Sequence, residues 1–428
     1  MVLRFLVCVS VAASVGACGS KSSSKGKDEQ QTKKVVKRKP VKQAPTEPLA
    51  SSRPPPVDTH APVQEPMPLY DCPVTGDKAR DPDKLLDTAN AQHRARNFGP
   101  AYACATVAVD LQPRSVEAHH VRAAALAGLK RYQQAQVVFA MALALDPDDP
   151  ETLAAAADFY LNVLPRKRRD TTRVAHSYAK RGSARASSRR RKDRRLRGRL
   201  ALLEGQALND LGRPDDALKR VDEALVLAPQ LVQARHERGV ALFNLCNFEL
   251  AQVAFEQVLR VKPDDAFAHH HAGLVYARLG KPSIAAGHFR RARKLAPHDF
   301  FAPVKIGKRQ FAAEVDKAIR EFDGKTQKLL EGVALEITAL PTKADLTATS
   351  PPFSPTILGL FRGLPKVGRG SDLTGDAPPR AIVLYRENLV RAVRTREELN
   401  RQIRRTLVHE IGHLRGMDED ELRRKGLD

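Results

Sequence analysis

Alanine and proline recur in this chain at a fixed interval of 34 residues. Ala101, Ala108 and Pro113 return as Ala135, Ala142 and Pro147. The same pattern resumes at Ala217, Ala224 and Pro229, then Ala251, Val258 and Pro263, then Ala285, Ala292 and Pro297. Gly205, Gly239 and Gly273 precede the last three sets by twelve positions. A constant period of this length marks units too small to bury an apolar face alone, which gain a core only by stacking on neighbours. Small residues at matched places let two helices approach closely, and the proline ends the second helix of each unit. With no Trp and 5% aromatic residues, packing by Ala and Leu is expected, not an aromatic-rich β-sandwich.

The spacing resembles the tetratricopeptide repeat, a helix–turn–helix unit of 34 residues. That resemblance implies an α-solenoid with a concave groove that takes a protein or peptide partner. The array is assigned to residues 82–300, with about six units. Five are evident, and a sixth at 150–183 is interrupted by the basic insert "PRKRRD". The adjacent His269, His270 and His271 point in three directions on a helix and are read as surface or groove residues, not a metal site.

Past about Val304 the period ends. Helical patterns at 311–322 and 326–333 and a strand at 333–340 precede a stretch read as a long loop, 350–379. A second strand, "AIVLY" at 381–385, leads into one long helix. The sequence therefore reads as mainly α, a solenoid followed by a small α+β domain at 304–428. Thr395 and Glu398 form a capping-box pattern, and Leu399, Ile403, Leu407, Ile411 and Leu414 make the buried stripe of the last helix.

That helix carries His409-Glu410-x-x-His413. Two histidines four apart project from one side of a helix and can share one Zn²⁺, with the glutamate beside them as general base. Few residues follow in this sequence, so the third ligand is expected close to the helix end and not on a distant later helix. Gly416 is placed to end the helix in a left-handed turn, and Asp418, Glu419 and Asp420 follow. Glu419 is the expected third ligand, with Asp418 next in order.

With "ILGLFRGLP", "PPRAIVLYRENL" and "RRTLVHEIGHLRGMDEDELRRKGLD", the last 120 or so residues resemble the minimal zincin-like metallopeptidase family of bacteria. The resemblance implies His409 and His413 as zinc ligands, Glu410 as base, and an acidic third ligand at Glu419. "AIVLY" is a candidate edge for pairing an extended peptide. Tyr385, Arg386 and Arg362 are candidate groups for stabilising an oxyanion or holding a substrate carbonyl.

The N-terminus sets an expected address. An early Arg4, an apolar run from Phe5 to Val15 and the small residues before Cys18 form a secretory signal at 1–17. The segment resembles a bacterial lipobox, which implies lipidation of Cys18, a membrane anchor, and, with Gly19 next, an outer-membrane position facing the periplasm. Residues 18–81, rich in Ser, Lys and Pro, are read as a disordered tether. Cys72 and Cys104 are available to pair in an oxidising compartment, while Cys246 lies in an apolar helical context. The net charge of +23 is concentrated in short runs without interleaved aromatics, so no specific nucleic-acid partner is expected.

Together these features predict an envelope-anchored, zinc-dependent metallopeptidase whose array recruits a protein partner or substrate. The alternative is a non-catalytic scaffold lipoprotein with an idle or structural zincin domain.

Overall fold

The computed structural model describes residues 67–165, 168–187, 191–366 and 379–427. The signal segment, Cys18 and most of the expected tether lie outside these.

Six helical pairs stack in order. They are α1 (Pro82–Arg94) with α2 (Phe98–Leu111), α3 (Val116–Gly128) with α4 (Tyr132–Leu145), and α5 (Pro150–Asp158) with α6 (Arg169–Arg185). Then come α7 (Arg191–Asp210) with α8 (Pro214–Leu227), α9 (Val232–Asn244) with α10 (Phe248–Val261), and α11 (Ala266–Arg278) with α12 (Pro282–Leu295). Helix α5 runs on through one π-helical turn, Phe159–Val163. Ala101, Ala108, Ala135, Ala142, Ala217, Ala224, Ala251, Val258 and Ala292 are all 0% exposed. The small residues are required by contact: a Cβ on Gly239 would stand 2.7 Å from the Phe255 ring, and one on Gly273 2.7 Å from that of Phe289.

The end of the expected tether, residues 67–81, is not a free linker. A Cys72–Cys104 disulfide ties it to α2, Val74 packs against the core of the first pair, and Gly76–Arg80 form a 3₁₀ turn. The covalent link lowers the entropy cost of docking this short stretch.

The C-terminal domain contains α13 (Lys308–Arg320), α14 (Gly324–Leu330), β1 (Ala334–Thr338), α15 (Lys343–Leu346), β2 (Gly359–Arg362) and β3 (Ala381–Tyr385). It closes with α16 (Arg386–Ala392), α17 (Arg396–Leu414) and α18 (Glu419–Arg424). Strand β2 lies inside the stretch read as a loop. The sheet order is β1–β3–β2, with β1 parallel and β2 antiparallel to β3. Strand β3 is therefore central and paired on both sides, and "AIVLY" offers no free edge for a peptide.

The sheet is a shared layer. On one face Phe361, Ile382 and Leu384 pack with Phe311 of α13 and Leu399, Ile403 and Leu407 of α17. On the other, Leu360, Val383 and Tyr385 join Leu346, Phe353 and Ile357, and the same cluster includes Phe243, Phe248 and Val275 of the repeats. Ser354 donates to the Asn244 side chain at 3.2 Å, and Arg278 donates to the Pro341 carbonyl at 2.6 Å across this junction. No helix among the described residues is long and apolar enough to cross a membrane.

Candidate metal centre

Helix α17 starts at a capping box in which Thr395 and Glu398 satisfy each other's backbone N–H groups. It ends at Gly416, whose φ of 82° is the left-handed conformation glycine adopts without strain. The Gly416 N–H reaches the His413 carbonyl at 2.9 Å and that of Met417 reaches Gly412 at 3.0 Å, a Schellman closure. This reversal returns the tail across the last turn of α17. Leu422 then packs so tightly that a Cβ on Gly412 would sit 2.3 Å from its Cδ2.

The result is a compact acceptor cluster. The His409 and His413 Nε2 atoms are 3.2 Å apart, and Glu419 Oε1 lies 3.6 and 3.3 Å from them. The ligand atoms of His409, His413 and Glu419 all fall within 4.8 Å of one another. Each Nδ1 faces a backbone carbonyl, Leu427 for His409 and Met417 for His413, both at 2.9 Å. A carbonyl only accepts, so each Nδ1 carries the hydrogen and each neutral ring turns an Nε2 lone pair inward. Two lone pairs and a carboxylate in contact require positive charge between them. Burial opposes a proton on His409, yet the Glu419 and Glu410 carboxylates and the Leu427 carbonyl together outweigh it and raise the imidazole pKa. Burial likewise works against ionised Glu419, but with no ion between them the two rings, when protonated at Nε2, donate to the carboxylate and attract it, which holds its pKa down at about 2.

Glu410 is 0% exposed, and neither carboxylate oxygen has a hydrogen-bond partner at normal geometry. Burial pushes its pKa up, against the pull of His409, His413 and the Phe361 backbone. A Cβ on Gly359 would lie 3.0 Å from Glu410 Oε1, so β2 passes over the carboxylate at a distance only glycine permits. A buried acid without partners beside three converging donors fits a centre that takes a divalent cation and a polar small molecule. Two imidazoles and one carboxylate are a donor set suited to zinc.

Residues 330–427 match the Zincin-like metallopeptidase family, and residues 236–300 match a Tetratricopeptide repeat family. The chain joins tetratricopeptide repeats to a zincin-like domain. Superkiller protein 3 of Schizosaccharomyces pombe is 32% identical over 111 residues, which is 26% of this chain. The chain spans only 8% of that relative's length. Among solved structures, Pseudomonas aeruginosa pilF superposes with a TM-score of 0.43 at 16% identity, covering 52% of this chain and 94% of that one. YrrB, described as a tetratricopeptide repeat protein with an unusual peptide-binding site, gives 0.36 at 21% identity, covering 46% and 95%.

In the zincin-like domain the three acids of the tail divide their work. Glu419 turns toward the histidines, whereas Asp418 caps α18 by accepting from the Glu421 N–H at 2.8 Å, and Asp420 pairs with Arg423 at 2.6 Å. Asp418 is thus withdrawn from the ligand set by its cap role. Two of the other candidates, Arg362 and Arg386, are also occupied. Arg362 grips Asp345 with two hydrogen bonds of 2.8 and 2.9 Å and reaches Glu336 at 2.8 Å. Arg386 pairs with its neighbour Glu387. Tyr385, 0% exposed, belongs to the sheet face turned toward the repeats. The three histidines at 269–271 diverge as expected: toward His288, onto Phe300 and onto Phe255 respectively. Sequence reasoning missed the Leu427 and Met417 carbonyls, which carry no side-chain signal.

Proposed function

We propose that the chain is a zinc-dependent metallopeptidase, lipid-anchored at Cys18 in the cell envelope, whose repeat array holds a protein partner or substrate. The observation that carries this reading is the inward pair of Nε2 lone pairs, closed by Glu419 and backed by the unpartnered Glu410 carboxylate. His409, His413 and Glu419 would hold the ion, which when bound supplies Lewis acidity for water and a scissile carbonyl. The Leu427 and Met417 carbonyls keep both rings in the ligating tautomer. Glu410 accepts the proton of the attacking water and returns it to the leaving nitrogen, a role matched to a carboxylate whose burial raises its basicity.

The mature protein is expected to carry about one zinc per chain, measured by elemental analysis, and to lose it in His409→Ala. Peptide hydrolysis is expected to fall by about 10²- to 10⁴-fold in Glu410→Gln with zinc retained. A chain without zinc, or one whose zinc survives His409→Ala, overturns the reading. A second reading, a structural ion in an idle domain, is favoured by exposures of 4, 0 and 5% for His409, Glu410 and His413. It predicts zinc without hydrolysis, so the Glu410→Gln comparison separates the two.

A further inference from the structure

A second chemical environment lies where the last repeat meets the zincin-like domain. A cavity of about 250 Å³ is bounded by α12, the segment after it and α16. Its apolar walls are Phe289, Phe300 and Phe301. Phe300 is held by His270, which also lines the cavity and stacks on it at 4.5 Å and 17°. Three arginines also line it, and they are not equivalent. Arg391 is satisfied by Glu387 at 2.9 Å and lies 5.0 Å from the Phe289 ring centre. Neither Arg290, which is exposed, nor Arg293, which is half-buried, makes an ion pair or hydrogen bond among the described residues, and Asp299 lines the same cavity.

Cations left without partners beside an aromatic wall suit an anion that carries an apolar group. The volume falls below the usual range for drug-sized ligands, about 300 to 1,000 Å³, which favours a small ligand. Asp299 would also repel a phosphate dianion while tolerating a monoanion. We infer that this cavity binds the carboxylate end of an apolar, preferably aromatic, amino acid, with the side chain among Phe289, Phe300 and Phe301 and the carboxylate on Arg293 and Arg290. Free amino acids and peptide C-termini share this chemistry; Asp299 would favour the free amino acid by meeting its ammonium group. Because Arg391 sits on the helix before α17, the ligand would bridge repeat and zincin-like domain. The inference does not depend on zinc or on catalysis.

The test is calorimetric titration of the full mature chain, stripped of metal with EDTA so that carboxylates cannot report on the histidine centre. The probes are N-acetylphenylalanine, its amide, and phenylalanine. N-acetylphenylalanine is expected to bind with a Kd of about 1 mM, as its size allows, and the amide about tenfold more weakly. Arg293→Gln should erase the acid–amide difference, and Phe300→Leu should weaken both probes alike. Tighter binding of phenylalanine than of its N-acetyl form assigns the site to free amino acids; the reverse, extended by a peptide ending in phenylalanine, assigns it to peptide C-termini. No binding at 10-fold above the expected Kd, equal affinity for acid and amide, or an unaltered preference in Arg293→Gln overturns the proposal.

Discussion

At the scale of single residues, the centre depends on groups that no side-chain motif records. His409 and His413 were legible from spacing alone, and Glu419 from the glycine three residues before it. What aims the two Nε2 lone pairs at each other is the pair of carbonyls behind the rings, from Met417 and Leu427. Backbone acceptors are the same for every residue type, so their position follows only from how the tail folds. Such outer partners typically contribute 10- to 100-fold in metal affinity. A chain ending at Gly426 lacks the Leu427 carbonyl and is expected to hold zinc about 10- to 100-fold more weakly in competition with a chromophoric chelator. The thermal midpoint of the metal-free protein should move little. Unchanged affinity would show that the His409 ring is oriented by something else.

At the scale of elements, strand β2 shows why part of the fold was hidden. Its four residues sit in a stretch rich in Gly and Pro, too short to display alternation. It is a strand because Gly359 allows it to cross over Glu410 and because Arg362 ties it to Asp345 and Glu336. Asp345 is 7% exposed; burial alone would raise its pKa, but the Arg362 hydrogen bonds and the Thr342 backbone outweigh that and leave it lowered. A carboxylate with a lowered folded-state pKa adds stability above its unfolded value, near 4. It loses that contribution as pH falls through the folded value. Asp345→Asn is expected to cost about 1–3 kcal/mol at pH 7 and to flatten the pH dependence of stability below about pH 4. Urea titrations of both proteins between pH 3 and 7 read both effects. Parallel pH profiles would mean that Arg362 answers Glu336 alone.

At the scale of the whole molecule, repeats and zincin-like domain share one sheet instead of being linked as separate beads. The repeats were plain in the sequence because their period is enforced by contact at every unit. Their attachment was not, because, of the docking residues, Leu346 ends the four-residue α15, Phe353 and Ile357 lie between regular elements, and the three follow no period. A domain whose sheet packs on both faces depends on each for its stability. Val275 of α11 is 0% exposed against the array side of that layer. Val275→Asp places an unpaired carboxylate there, a change that costs several kcal/mol wherever the structure cannot relax around it. If the layer couples the two parts, amide exchange should accelerate not only in α11 but also in α17, more than one sheet thickness away, and zinc should be lost at a lower chelator concentration. Leu346→Ala, made from the opposite side, is expected to cost about 2–5 kcal/mol and to give the same pattern of exchange. Exchange in α17 that stays at the wild-type rate in both variants would mean that the metal centre folds independently of the array that carries it.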